Sequence, residues 1–129
     1  MKCFLLDSDV VIWLLRGRQK VVEHVEKLAG RGQLLVSAIT RAEVASGMRA
    51  DEERATLRLL DGLTTVPVSG DIADHAGKMR CALRKRGITV HLPDAIIAAT
   101  AADLDAELHT CNPKHYPDCG IALVAVDPL

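Results

Sequence analysis

Aromatic side chains are nearly missing from this chain, with one Phe, one Trp and one Tyr in 129 residues. Single-strand RNA readers of the stacking type need several aromatic platforms, so that mode of recognition is excluded. The core must therefore be built from Leu, Val, Ile and Ala. Long apolar runs are also lacking. Met1-Lys2-Cys3-Phe4-Leu5-Leu6 meets an acid at Asp7, too soon for a transmembrane helix or for the apolar stretch and small-residue cleavage site of a signal peptide. No membrane association is expected. Neither charge sign dominates: sixteen Lys and Arg against seventeen Asp and Glu leave a net charge of -1, so any attraction for nucleic acid must come from local patches. The four cysteines stand at 3, 81, 111 and 119 without a C-x-x-C pair or a zinc-type spacing. They read as buried or incidental thiols of a cytoplasmic protein.

No linker, internal repeat or low-complexity tract divides the chain, and its length matches one domain. Residues 1–129 are expected to fold as a unit, alone or as a dimer. Short apolar runs alternate with helical periods. Lys2 to Leu6 reads as a strand, Asp9 to Arg16 as a helix, Gln19 to Ala29 as a second helix and Gln33 to Ser37 as a second strand. Helices follow over Thr40 to Arg49 and Glu52 to Leu63, then a strand over Thr64 to Val68 whose Pro67 suits an edge or an end. Asp71 to Arg86 carries Ile72, Ala73, Ala76, Met79 and Leu83 at helical spacing, with Gly87 as its stop. Pro93-Asp94 opens an Ala-rich helix to about Leu104, and Glu107 to Thr110 and Ala122 to Val126 are the last strands. This order predicts an α/β fold, a mostly parallel sheet covered by helices on both faces.

In such a sheet the ligand site lies beyond the carboxyl ends of the strands, where the strand order reverses. Asp7 follows the first strand, Thr110-Cys111-Asn112 follows the strand at 107–110, and Glu43 and Asp94 are each expected in a helix first turn. Each has a structural reading of its own. Asp7 or Asp9 suits a helix cap, Thr40-Arg41-Ala42-Glu43 has the form of a capping box, Asp94 beside Pro93 suits a first turn, and Asn112-Pro113 is a turn dipeptide. Their convergence on one sheet edge is the functional signal. Carboxylates a few ångströms apart repel unless a cation lies between them. Oxygen ligands select a hard ion, Mg²⁺ or Mn²⁺, and such an ion supports phosphodiester hydrolysis.

Leu5-Leu6-Asp7-Ser8-Asp9-Val10, Ser37-x-x-Thr40-x-x-Glu43, the run from Leu92-Pro93-Asp94 to Ala101, and Leu108-His109-Thr110-Cys111-Asn112-Pro113-Lys114-His115-Tyr116 together resemble the PIN domain. More narrowly, they resemble the VapC toxins of bacterial toxin–antitoxin pairs. The resemblance implies a three-layer α/β/α fold and a metal-dependent endoribonuclease with an RNA substrate and a cognate antitoxin as partner. It also matches Asp7, Glu43 and Asp94 to the family's first three acidic positions. In the last motif the family often has a further acid, where this chain has Asn112 and His115. That departure favours one tightly held ion, with Asp7 and Asp94 as direct ligands and Glu43 as a water-mediated ligand or the group orienting the attacking water.

Arg80 and Arg84 share a face of the 71–86 helix, and Lys114 lies beside the last motif. With Arg16, Arg18 and Arg41 they would give the acidic centre a basic rim for a phosphate backbone, with His109 and His115 at the surface or behind the ligands. Trp13, Leu14, Leu57, Leu59 and Leu60 are more apolar than one buried stripe needs, so part of this surface is expected to form a homodimer or to receive an antitoxin helix. Two other readings stay open. Asp7-Ser8-Asp9-Val10 also looks like the D-x-D opening of a haloacid-dehalogenase-type phosphatase, with Asp7 as nucleophile, although Gly70-Asp71-Ile72-Ala73-Asp74 has the wrong spacing for its later motif. A PIN-like module that binds RNA or protein without turnover is the other.

Overall fold

The computed structural model describes residues 2–129. Its centre is β1 (Lys2–Leu6), whose Phe4, Leu5 and Leu6 are wholly buried. Successive strand side chains point to opposite faces. Leu5 accordingly packs with Leu35, Ala95, Ile97 and Leu108 on one side, and Phe4 and Leu6 pack with Val10, Val21, Val36 and Leu60 on the other. A strand buried on both faces needs an apolar run and not an alternating one.

Around β1 lie β2 (Gly32–Ser37), β3 (Thr64–Val66), β4 (Glu107–Thr110) and β5 (Leu123–Ala125), in the order β3-β2-β1-β4-β5 with every pair parallel. The chain winds outward from β1 to β3, then crosses back to β4 on the other side of β1. Right-handed crossovers put helices on one face while the chain moves one way and on the opposite face after it reverses. Thus α1 (Ser8–Leu15), α2 (Gln19–Ala29) and α4 (Glu53–Asp61) supply Val10, Val11, Val21, Val25, Leu28 and Leu60 to the Phe4 side. Helices α5 (Gly70–Lys85) and α6 (Leu92–Asp103) supply Ile72, Ala76, Leu83 and the Ala-rich set to the Leu5 side. In α6, Ala95 and all of 97–101 are buried, the pattern of a helix enclosed on every side. The expected three-layer parallel architecture is therefore present.

Several boundaries differ for local reasons. Helix α1 begins at Ser8 because Asp7, not Asp9, is the cap and accepts from the Ser8 N–H at 2.8 Å. The helix expected from Thr40 begins earlier, as α3 (Ala38–Ser46), because the Ser37 hydroxyl accepts from the Ile39 N–H. Thr40 is thus no cap; it is fully buried and its hydroxyl has no partner among the described residues. The helix expected over 52–63 is divided into a 3-10 turn at Ala50–Glu52 and α4. Strand β3 is an edge strand that stops at Val66, just before Pro67, as a residue without an N–H requires. Gly87, with φ at +78°, terminates α5 as expected.

Gly32 starts β2 directly opposite Lys2. A Cβ there would be driven into the Lys2 carbonyl and against the Phe4 ring, so the outer registers of the two central strands depend on a bare Cα. Gly32→Ala should cost about 1–3 kcal/mol through this forced overlap, read as a lower midpoint in denaturant unfolding. A wild-type midpoint would show that the strand end moves aside freely.

Candidate functional site

The strand order reverses between β1 and β4, and their carboxyl ends open into a cleft of about 380 Å³ lined by Asp7, Ser8, Asp9, Glu43, His91, Asp94, Asn112 and His115 among others. Asp7 leaves the end of β1, Asn112 follows β4, Glu43 projects from α3 and Asp94 from the first turn of α6. The four residues singled out from sequence are therefore together. Glu43 arrives from further along its helix than expected, in the second turn after the Ser37 cap, where its carboxylate accepts from the Ser8 hydroxyl at 2.7 Å.

Asp7 is 5% exposed. Its Oδ1 accepts from the Ser8 N–H, and its Oδ2 accepts from the Thr110 hydroxyl at 2.8 Å and the Tyr116 hydroxyl at 2.7 Å. Burial, reinforced by the neighbouring Asp9 charge, pushes its carboxyl up to about 6 despite those donors. Asp94 is also raised, first by burial and also by Glu43, while His115, 3.7 Å away, opposes the shift. Among the described residues no Lys or Arg pairs with any of the cleft carboxylates.

Asp9 is the residue that sequence reasoning undervalued. Its Oδ1 accepts from the Cys111 N–H at 3.2 Å and its Oδ2 from the Asn112 side-chain amide at 2.8 Å, so it fastens the loop after β4 to α1. A carboxylate only accepts, which turns the Asn112 NH₂ toward Asp9 and leaves its amide oxygen free. Had an acid stood at 112, two carboxylates would face each other there; the amide is what Asp9 requires. Tyr116 and Thr110 were also missed. The available signal was a lone Tyr and a Thr inside the polar block that ends the acidic motif series.

The basic rim is less complete than expected. Arg80 donates its Nε to the Val90 carbonyl at 2.8 Å and so ties down the loop leading into α6. Arg41 is paired with Asp61 and Thr65, and Arg18 lies over the Trp13 ring. Arg84 and Lys114 are exposed, and neither they nor Arg80 line the cleft. His109 is not at the surface: it is 2% exposed on β4, between Glu107 and His24 at 2.8 Å each. The Cys111 thiol, pushed up to about 12 by burial and the Asp9 and Asp7 charges, is held as an inert thiol.

The expected apolar surface is also partly redrawn. Leu60 is core, Trp13, Leu14 and Leu59 are half-buried, and only Leu57 is exposed. A mainly apolar groove runs instead between α1, α3 and α4, lined by Ile12, Leu15, Val44 and Met48 together with Arg16, Glu52 and Thr56, and Ile12 borders both this groove and the acidic cleft. Among the described residues no helix is long and apolar enough to cross a membrane, and the four cysteines are unpaired.

Fold and cleft together define a doubly covered parallel α/β protein with a carboxylate-rich cleft at the switch point. The chain belongs to the PIN domain family, whose model matches residues 4–116. It is 37% identical over 113 residues to Ribonuclease VapC10 of Mycobacterium tuberculosis, spanning 88% of this chain and 85% of that one. A toxin–antitoxin complex from Klebsiella pneumoniae contains a chain that superposes with a TM-score of 0.79 at 30% identity, over 97% of each chain. VapBC-1 from nontypeable Haemophilus influenzae gives a TM-score of 0.79 at 29% identity, over 95% of this chain and 97% of that one. The dehalogenase-type reading is overturned by this membership and by Asp71 and Asp74, which are exposed on the first turns of α5 instead of following a strand.

The carboxyl shift at Asp7 has a defined sign. Its folded value lies above its unfolded one, so its contribution is favourable while it stays protonated and is lost as pH rises from about 4 through about 6. In chelator, this one group should remove roughly 2–3 kcal/mol across that window. A divalent cation should restore it, so the rise in melting temperature on adding Mn²⁺ should grow between pH 5 and pH 7. A rise of constant size would show that the acidic cluster is not what the ion meets.

Proposed function

We propose that this chain is a metal-dependent endoribonuclease, the toxin of a toxin–antitoxin pair, which hydrolyses RNA phosphodiester bonds with Mg²⁺ or Mn²⁺ held by Asp7, Asp94 and Glu43. The observation that carries the reading is the cluster of carboxylates at the switch point without a Lys or Arg partner. The names of its relatives, a ribonuclease and toxin–antitoxin complexes, support it.

The donor set fits a hard cation. The three proposed ligands, Asp7, Asp94 and Glu43, all offer carboxylate oxygens, and among the described residues no thiolate lines the cleft, a set that favours a hard ion over a soft one. Among the described residues no three His, Cys, Asp or Glu side chains converge closely enough to cage an ion by themselves, which suits an ion that keeps several waters and takes substrate phosphate oxygens as further ligands. When bound, such an ion supplies water activation and neutralises charge at the phosphate.

The chain's own residues do the rest. Asp7 and Asp94 would hold the ion directly, since both are drawn in from solvent. Glu43 is exposed at the cleft edge and steadied by the Ser8 hydroxyl, which suits a group that orients the attacking water and accepts its proton. The water oxygen bonds to phosphorus as the phosphorus–oxygen bond to the leaving nucleotide breaks. Asn112, aligned by Asp9, offers its amide oxygen to water in the cleft. Lys114 and Arg84 meet the RNA backbone outside the cleft, and Arg80 adds its remaining guanidinium donors. The residues 1–129 act as one domain, which self-associates through the half-buried Trp13, Leu14 and Leu59 region and is restrained by an antitoxin whose amphipathic segment lies in the groove beside Ile12.

Asp94 separates catalysis from helix capping. Asp94→Asn keeps a capable side chain at the start of α6, so the metal-free melting temperature should stay level or rise as a raised, repelled carboxyl is lost. Cleavage of mixed RNA with Mg²⁺ or Mn²⁺ should be abolished. A folded Asp94→Asn protein cutting RNA at the wild-type rate would defeat the assignment.

A further inference from the structure

Tyr116 is the chain's one tyrosine, and packing alone does not account for it. Its ring belongs to the apolar cluster with Ala95, Ala98 and Leu108 and is 4% exposed, a place that Phe would fill equally well. The hydroxyl is the unexplained atom. It donates to Asp7 Oδ2 at 2.7 Å and stands 3.5 Å from Asp94 Oδ1, so one phenol lies between the carboxylate that follows β1 and the one carried by α6.

A phenol has one proton and donates to one acceptor at a time, whereas a carboxylate offers about four lone-pair positions. At Asp7 three are already occupied, by the Ser8 N–H, the Thr110 hydroxyl and the Tyr116 hydroxyl. Those donors fix the carboxylate in one orientation and leave a limited, defined set of lone pairs. Moving the phenol proton from Asp7 to Asp94 would release one more pair on Asp7. Burial and the neighbouring Asp7 charge push the phenol's own ionisation far above its usual range, in keeping with the hydroxyl donating to Asp7.

We propose that Tyr116 is the positioning residue that holds the Asp7 and Asp94 carboxylates in place beside each other for a divalent cation, its hydroxyl standing between them. The proposal rests on the reading of these two aspartates as ion ligands and adds to it the group that arranges them. Partners that orient ligating side chains are worth about 10–100-fold in metal affinity when removed. Here the donor comes from the loop after β4, so the approach of that loop to the sheet edge would also assemble the ion site.

Direct Mn²⁺ titration by calorimetry on the full chain, for wild type, Tyr116→Phe, Tyr116→Leu and Asp94→Asn, tests it. Tyr116→Phe keeps the ring, so it should fold, bind Mn²⁺ with a Kd at least about tenfold higher, and show a smaller Mn²⁺-induced rise in melting temperature. RNA cleavage should need correspondingly more Mn²⁺ and recover to within a few-fold of wild type at saturation. Tyr116→Leu should lower the metal-free melting temperature further through lost packing while sharing the Kd of Tyr116→Phe. A Kd for Tyr116→Phe within twofold of wild type, whatever its melting temperature, would reduce Tyr116 to a core residue and overturn the proposal while leaving the metal reading intact. Wild type failing to bind Mn²⁺ would overturn both, and loss of binding in Asp94→Asn alone would place the ion without the tyrosine's help.

Discussion

The bonds of Asp7 hold the fold and its chemistry together. Its N–H donates to the His109 carbonyl and so joins the end of β1 to β4, while its own carbonyl accepts from Val11 within α1. Its carboxylate caps α1 and collects the Thr110 hydroxyl from the end of β4 and the Tyr116 hydroxyl from the loop that follows. One residue thus ties the central strand to a helix, to the neighbouring strand and to the following loop. The constraint is severe because an ionised carboxylate drawn from water costs several kcal/mol unless it is paired or hydrogen-bonded. Three donors reduce that cost without cancelling the charge, and the remainder is expressed as a raised carboxyl in a cleft open to a cation.

The shortage of aromatic residues follows the same geometry. Helices on both faces of a narrow parallel sheet must come close, and α6, with Ala95, Ala98, Ala99 and Ala101 buried, packs against the sheet and α5 with small side chains. That brings the start of α6, and Asp94 with it, to the carboxyl edge of β1. Larger side chains there would move the helix away, and with it the carboxylate.

Cation placement completes the picture. Several arginines are engaged elsewhere: Arg80 with the Val90 carbonyl, Arg41 with Asp61 and Arg86 with Asp118, and among the described residues no arginine lines the cleft. An arginine inside the cleft would neutralise the carboxylates and remove the reason for an ion to enter. The polar neighbours at the rim are instead histidines, with His115 Nδ1 3.7 Å from Asp94 Oδ2. The acidic centre therefore stays uncompensated, and the exposed Arg84 and Lys114 remain outside it.

The apolar run of β1, the 3.6-residue spacing of Ile72, Ala76 and Leu83, and the order of strands and helices were legible because each depends on local periodicity and on which faces must be buried. The same order placed Asp7, Glu43, Asp94 and Asn112 on one sheet edge, since parallel strands with right-handed crossovers bring all their carboxyl ends to one side. Ser37 capping α3 in place of Thr40 was not legible, because both hydroxyls suit a cap and the strand end decides between them. Nor was the enclosure of His109 between Glu107 and His24, residues 85 apart in the second pairing. The links from Asp9 to Asn112 and from Tyr116 to Asp7 span 103 and 109 positions. Spacing along the chain carries no information about such contacts, so only the packed tertiary structure decided which polar side chains orient the acids and which cations are withheld from them.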